Sequence, residues 1–297
     1  MPERPTTVLR RLLARPDPIM APGVADALNA RLVARQGFEA IYMTGSGTTA
    51  VRLGMPDIGL LTMSEMVDNA GRIADASGLP LIADADTGYG GPINVRRTIR
   101  AFEAAGVAGV HIEDQQWPKR CGHLAGKTLI DKHEMASKVL AAVDARRDSD
   151  FVIIARTDAL SVEGFERALE RGKVYEEAGA DVIFIESPTT MEQLTAIPKH
   201  FDKPTLLNHG SSGKTPYLTV DEMRDVGFKL AIYPNFVILA AIRAVERTLA
   251  ELKSTGSVKG LLNEVASFTE MVDLVGMREI QELESRYEVA DDARVGY

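Results

Sequence analysis

Short apolar runs alternate along this chain with longer stretches in which apolar residues recur at three- and four-residue spacing. The runs are PIMAPG, EAIYMTG, LPLIADAD, VAGVHIED, FVIIARTD, ADVIFIES, PTLLNHG and FKLAIYP. The periodic stretches include 64–76, 95–105, 132–147, 164–178 and 220–226. A run that is apolar at nearly every position reads as a strand buried on both faces, and the wider spacing reads as the stripe of an amphipathic helix. The pattern predicts about eight βα units, hence an α/β fold closed as a TIM-type (β/α)8 barrel, with a doubly wound open sheet as the alternative.

The unit repeats visibly. EAAGVAGVHIED (103–114) and EEAGADVIFIES (176–187) each run from a helix end through a glycine into a buried strand that closes on a carboxylate. Beyond residue 236 only helical pattern remains, more than an eighth unit needs. The expectation is one barrel domain over 1–297, with 255–297 as a C-terminal helical extension. An apolar helix that cannot fold back onto its own barrel packs on another subunit, so a homo-oligomer is expected.

Composition narrows the partners. The 297 residues, 45% apolar and 26% charged, suit one large core, and a net charge of -8 disfavours a nucleic-acid surface. No apolar run approaches the roughly 20 residues of a membrane span. The single cysteine excludes an internal disulfide. MPERPTTVLRRLLARP lacks the apolar stretch of a signal peptide, so a cytoplasmic location is expected, with small molecules as partners.

In such a barrel the active site forms where the strands end, so the polar residues closing each run are the candidates. They are Tyr42, Thr44, Gly45 and Ser46; Asp84 and Asp86; His111, Glu113 and Asp114; Arg156 and Asp158; Glu186; and Asn208 with His209. Read as a strand, DAD puts Asp84 and Asp86 on one side, beside Glu113 of the next strand. Carboxylates that close repel unless a cation lies among them, and hard oxygen donors point to Mg2+ or Mn2+. The alternative is that they cap helices or pair with Arg156. Arg156 itself suits either bidentate capture of a substrate carboxylate or a buried pair with Glu186 or Asp158. TGSGTTAVRLGMPD matches neither a dinucleotide nor a P-loop pattern; its backbone N–H groups and hydroxyls suit a carboxylate, and a turn without a ligand is the other reading.

The lone cysteine, Cys121, stands in a polar loop after the fourth run, among Lys119, Arg120, Gly122 and His123. Cations beside a thiol favour thiolate, and Gly122 and Gly126 allow the loop to move over the barrel mouth.

The set TGSG, LGMPD, DADTGYGG, HIEDQ, PKRCGH and ARTDA, with Asn208 closing the seventh run, resembles the isocitrate lyase and phosphoenolpyruvate mutase superfamily, especially its methylisocitrate lyase and dimethylmalate lyase branch, from about residue 20 to 250. The resemblance implies a Mg2+-dependent barrel, a homotetramer with C-terminal helices exchanged between subunits. It implies that Asp84 and Asp86 serve the metal, with Asp57 and Glu113 acting through waters or polar contacts. Tyr42, Thr44, Gly45 and Ser46 would hold a substrate carboxylate and the adjacent oxygen; Arg156, Glu186 and Asn208 would position the substrate. Cys121 and Gly122 would lie on a gating loop, the thiol donating a proton to a departing carbanion.

The departures concern the substrate. Methylisocitrate members read KRCGHRPNK where this chain reads KRCGHLAGK, and they carry arginines where this chain has Leu239 and a residue near Phe268. Without those cations a third carboxylate is left buried and unpaired, so a 2,3-dialkylmalate is expected in place of 2-methylisocitrate, unless Arg243 supplies the charge. The other readings are 2-methylisocitrate lyase, oxaloacetate hydrolase and, outside enzymes, a metabolite-binding or structural oligomer.

Overall fold

The structure is a computed structural model that describes residues 3–122 and 126–288. The apolar runs form β1 (Ile19–Val24), β2 (Ile41–Met43), β3 (Leu81–Asp84), β4 (Gly109–Glu113), β5 (Val152–Thr157), β6 (Val182–Ile185), β7 (Thr205–Asn208) and β8 (Leu230–Tyr233). They pair in parallel in chain order, and β8 returns to β1 with Ile19 opposite Leu230 and Pro22 opposite Tyr233. The sheet is a closed barrel, which removes the open-sheet alternative.

Strand alternation sorts the side chains into two clusters. Ile82, Val152, Ile154, Val182, Phe184, Leu206 and Ile232 fill the interior. Leu81, Ala83, Ile153, Ile183, Leu207 and Ala231 pack outward against the helices. Each fully buried aliphatic or phenyl group contributes about 1.5–3 kcal/mol. At the mouth the inward parity continues into polar residues: Asp84 follows Ile82, Arg156 follows Ile154, Glu186 follows Phe184 and Asn208 follows Leu206. The other end of the interior is sealed by helix Pro5–Leu13, whose Leu9, Leu12 and Leu13 join the same cluster.

The glycine-rich segment after β2 is helical. Gly45–Leu53 forms a helix whose N-cap, Thr44, accepts from the Gly47 N–H through its side chain. Gly45 and Ser46 therefore belong to a helix N-terminus, and β2 stops at Met43.

The chain divides into two compact units, 1–240 and 241–297, the division falling within helix Phe236–Thr255. In the second unit that helix ends and Phe268–Leu274 and Met277–Tyr287 follow. Ile242, Val245, Leu249, Leu252 and Phe268 are exposed. Among the described residues no helix is long and apolar enough to cross a membrane.

Candidate active site

The mouth of the barrel holds a cavity lined by Tyr42, Thr44, Ser46, Asp57, Asp84, Glu113, Lys119, Cys121, Gly122, Arg156, Glu186 and Asn208, joined by Gly210, Pro234 and Asn235. Gly45 borders it: its N–H donates to Asp84 Oδ2 at 3.2 Å, and a Cβ there would lie 2.4 Å from that oxygen. This approach requires glycine.

Asp84 and Asp86 come together by a different geometry from strand alternation. β3 ends at Asp84, and Asp86 takes a left-handed conformation at φ 48. Its N–H donates to Asp84 Oδ1 at 2.9 Å, and its carbonyl accepts from the Glu113 N–H at 2.9 Å. The turn thus clamps strand end β3 to strand end β4. Asp86 is buried beside the cavity and is not one of its lining residues.

A cation does lie among these acids, and it is Lys119. Its ammonium sits 2.7 Å from Asp57 Oδ1 and 2.6 Å from Asp86 Oδ1. Burial pulls the Lys119 pKa down, but Asp86, Asp84, Glu113 and Asp57 outweigh it and raise the group well above its ordinary range. Burial likewise pushes Asp86 up to about 6, reinforced by Asp84 and Asp57 against the pull of Lys119. Burial holds Glu113 well above the usual carboxylate range, and among the described residues its Oε1 has no hydrogen-bond partner. Among the described residues no three such side chains converge into a preformed metal cage.

Arg156 adopts the buried-pair arrangement. Its Nε and Nη2 meet Asp158 at 3.0 and 3.1 Å, Nη1 lies 3.3 Å from Glu113 and Nη2 lies 3.5 Å from Glu186. The Nε and Nη2 face thus engages Asp158, the buried-pair reading of the two that the sequence left open, and Arg156 still lines the cavity. Glu186 also accepts from Asn208 Nδ2 and Ser187 Oγ. Gly122 is pressed against this pair: a Cβ would lie 2.3 Å from Arg156 Nη2.

The loop carrying Cys121 is fastened by its own chain. The Cys121 N–H donates to the Asp57 carbonyl at 3.2 Å, and the buried Gln115 amide brackets the Arg120 backbone with bonds of 2.8 and 2.9 Å. The Arg120 side chain is exposed and outside the cavity lining, and Lys119 is turned to the acids. Lys127 donates to the Gly122 carbonyl and pairs with Asp158 at 3.2 Å. His123, like Leu124 and Ala125, lies outside the described residues.

Residues 9–253 match the family described as phosphoenolpyruvate phosphomutase. The chain belongs to the phosphoenolpyruvate phosphomutase family. Within it the chain is 46% identical to a 2,3-dimethylmalate lyase of Eubacterium barkeri, covering 94% of this chain and 96% of that one. It is equally 46% identical to a 2-methylisocitrate lyase of Aeropyrum pernix, over 94% and 90%. A solved structure of oxaloacetate acetylhydrolase with the inhibitor 3,3-difluorooxalacetate superposes with a TM-score of 0.91 at 41% identity, over 95% of this chain and 96% of the other.

For this family member, sequence reasoning missed Asn235 and Lys127, which lie beyond the apolar runs, and Pro234 and Gly210, which close runs without a polar side chain. The run FKLAIYP stops one residue short of Asn235. It also left His111 without a role. His111 Nε2 lies 2.9 Å from the Tyr42 hydroxyl and 3.7 Å from Asp84 Oδ1, and burial lowers its pKa to about 4, so the imidazole is neutral. Leu239 is 42% exposed and is not among the residues lining the cavity. Arg243 is turned to Glu246 at 3.1 Å on an exposed helix face.

Proposed function

We propose that this protein is a Mg2+-dependent carbon–carbon lyase that cleaves a 2-hydroxy dicarboxylate of the 2,3-dimethylmalate or 2-alkylmalate type to pyruvate and a monocarboxylate. The observation that carries the reading is the seating of Gly122 on Arg156 and Glu186, which brings Cys121 to the lip of a cavity lined by acids, hydroxyls and amides together with Lys119 and Arg156. The identity to a 2,3-dimethylmalate lyase supports the substrate class.

The donor set fits Mg2+, with Mn2+ as the other candidate. Lys119, Arg156 and Lys127 do not balance Asp57, Asp84, Asp86, Glu113, Asp158 and Glu186, and Glu113 Oε1 is buried without a partner among the described residues. Oxygen donors in excess of local cations, without a closed cage, suit an ion that keeps waters and substrate oxygens in its shell. Asp84 and Asp86 would hold it, with Asp57 and Glu113 behind waters. When bound it supplies positive charge to the C1 carboxylate and C2 oxygen of the substrate.

The chain's residues do the rest. Tyr42, Thr44, Gly45 and Ser46 hold the C1 carboxylate and C2 oxygen; Arg156, Glu186 and Asn208 orient the far carboxylate. Glu113, a cavity carboxylate whose proton affinity burial raises, takes the 2-hydroxyl proton; the O–H electron pair becomes the C2–O double bond, the C2–C3 bond breaks, and C2 becomes the keto carbon of pyruvate. The electrons pass to C3 as an enolate-like dianion of the second carboxylate, the most costly species on the path. Cys121 donates the proton from Sγ to C3, completing the monocarboxylate; in the condensation direction its thiolate removes that proton. Lys119, Arg120 and His123 complete the loop that brings the thiol over the cavity.

The exposed apolar residues Ile242, Val245, Leu249 and Leu252 support assembly into a homotetramer with exchanged C-terminal helices. Oxaloacetate hydrolysis is the second reading, favoured by the likeness to oxaloacetate acetylhydrolase. Incubation with Mg2+ and 2,3-dimethylmalate, 2-methylmalate, 2-methylisocitrate or oxaloacetate separates the readings. Pyruvate from the malates is expected; oxalate plus acetate identifies the hydrolase, and inertness towards all of them defeats the enzyme reading.

A further inference from the structure

The cavity wall across the barrel from Arg156 is made by the segments that follow β8 and β2 and is built of neutral groups: Thr44, Ser46, Pro234 and Asn235. Asn235 is brought there by a backbone approach. A Cβ on Gly23 would lie 2.3 Å from the Pro234 carbonyl oxygen, so only glycine in β1 lets the segment after β8 settle against it.

The hydrogen bonds on this wall have a direction. Thr44 Oγ1 already accepts the Gly47 N–H at 3.2 Å, and its own proton is shared between Asn235 Oδ1 at 3.3 Å and Ser46 Oγ at 3.1 Å. Ser46 Oγ donates to the same oxygen at 3.1 Å. A hydroxyl whose proton is committed presents lone pairs on its remaining side, and a carboxamide whose oxygen is committed has two N–H donors left. The wall therefore offers an acceptor, Ser46 Oγ, next to donors on Asn235 Nδ2.

We propose that Asn235 is a specificity residue that makes this wall select a 2-hydroxy acid over the corresponding 2-keto acid. The substrate hydroxyl donates to Ser46 Oγ, and the neighbouring carboxylate oxygen accepts from Asn235 Nδ2. A keto oxygen has no proton and meets the Ser46 lone pairs unfavourably, so the same wall that binds the hydroxy acid weakens the hold on the keto product. The inference rests on the reading of the site as a lyase for 2-hydroxy dicarboxylates.

Calorimetric titration of the protein in Mg2+ with racemic lactate and with pyruvate tests it, because both probes carry the C1 carboxylate and C2 oxygen and neither has the bond that is cleaved. The wild type is expected to bind lactate about tenfold more tightly than pyruvate, the worth of one well-placed hydrogen bond. Asn235→Leu, which leaves the two hydroxyls unanchored, is expected to bring the two affinities within about twofold. Asn235→Asp keeps the acceptor for Ser46 and Thr44 but removes the donors and adds charge, so both probes weaken about tenfold or more while the preference for lactate survives. An unchanged ratio in Asn235→Leu, or equal binding of the two probes by the wild type, overturns the inference while pyruvate release from the malates keeps the lyase reading standing. Wild-type protein that binds neither probe and cleaves none of the malates brings down both.

Discussion

Lys119 and Asp86 form a buried ion pair at 2.6 Å, in the place where the sequence suggested a metal ion or, as the alternative, helix capping or a pairing with Arg156. The pair decides how the acidic cluster is tolerated before any ligand arrives. It also fixes the segment leading to Cys121, since the same ammonium holds Asp57, whose carbonyl accepts the Cys121 N–H.

Lys119→Met strands two buried carboxylates, Asp57 and Asp86, and is expected to cost about 3–5 kcal/mol of stability, the usual penalty for halving a buried pair. Asp86→Asn leaves the lysine with Asp57 and costs less. Urea denaturation of both variants provides the comparison; equal midpoints would contradict the bridging role.

Cys121→Ser is expected to fold with wild-type stability, within about 0.5 kcal/mol, because the thiol is only partly buried. Pyruvate release should drop about 10²–10⁴-fold, the range for loss of a positioned proton donor. A rate within threefold of wild type would remove Cys121 from the proton path.

Gly122→Ala introduces a methyl group 2.3 Å from Arg156 Nη2 and 2.9 Å from Glu186 Cγ. The loop cannot then seat on the pair, so kcat/KM should fall about 10²-fold, the effect of displacing a reacting group by roughly 1 Å. Thermal stability should barely change, because the clash is relieved by lifting the loop. Unfolding at much lower temperature with normal turnover would point to a structural role instead.

Chelation with EDTA is expected to abolish pyruvate release, and returning Mg2+ should restore it. A ligand that binds only the folded state at about 100 times its Kd adds about 2.7 kcal/mol, so Mg2+ should also raise the melting temperature. Asp84→Asn should lose that rise. Persistence of the full Mg2+ effect in that variant would place the ion elsewhere.

Burial lowers the His209 pKa from 6.5 to about 4. The neutral ring stacks between Tyr217 at 5.9 Å and Tyr233 at 4.9 Å. The unfolded chain takes up a proton near pH 6.5 that the folded chain refuses until about pH 4. This contribution to stability is therefore complete above pH 6.5 and is lost as the pH falls from 6.5 towards 4. Between pH 8 and pH 5 the wild type should lose about 1–2 kcal/mol more than His209→Phe, after discounting for partial solvation. Parallel pH profiles for the two proteins would contradict it.

The barrel was legible because strand and helix periods are local properties. Eight runs buried on both faces leave little alternative to closure, and the polar residue ending each run, such as Asp84, Arg156, Glu186 and Asn208, falls on the inward parity by the same two-residue period. Membership of the family was legible for a related reason: motifs such as HIEDQ and PKRCGH are contiguous stretches whose spacing the chain itself preserves.

What those residues touch was decided only in three dimensions. Nothing local says that Lys119 bridges Asp57 and Asp86, that Arg156 spends its bidentate face on Asp158, or that Asp86 reaches the cluster through a left-handed turn. Asn235 enters the site only because Gly23, on a strand distant in sequence but adjacent in the closed barrel, has no side chain to hold it off. Sequence period sets which way a side chain faces. Charge pairing and close backbone approach depend on groups brought together by barrel closure, so only the tertiary structure assigns each acid, base and amide its partner.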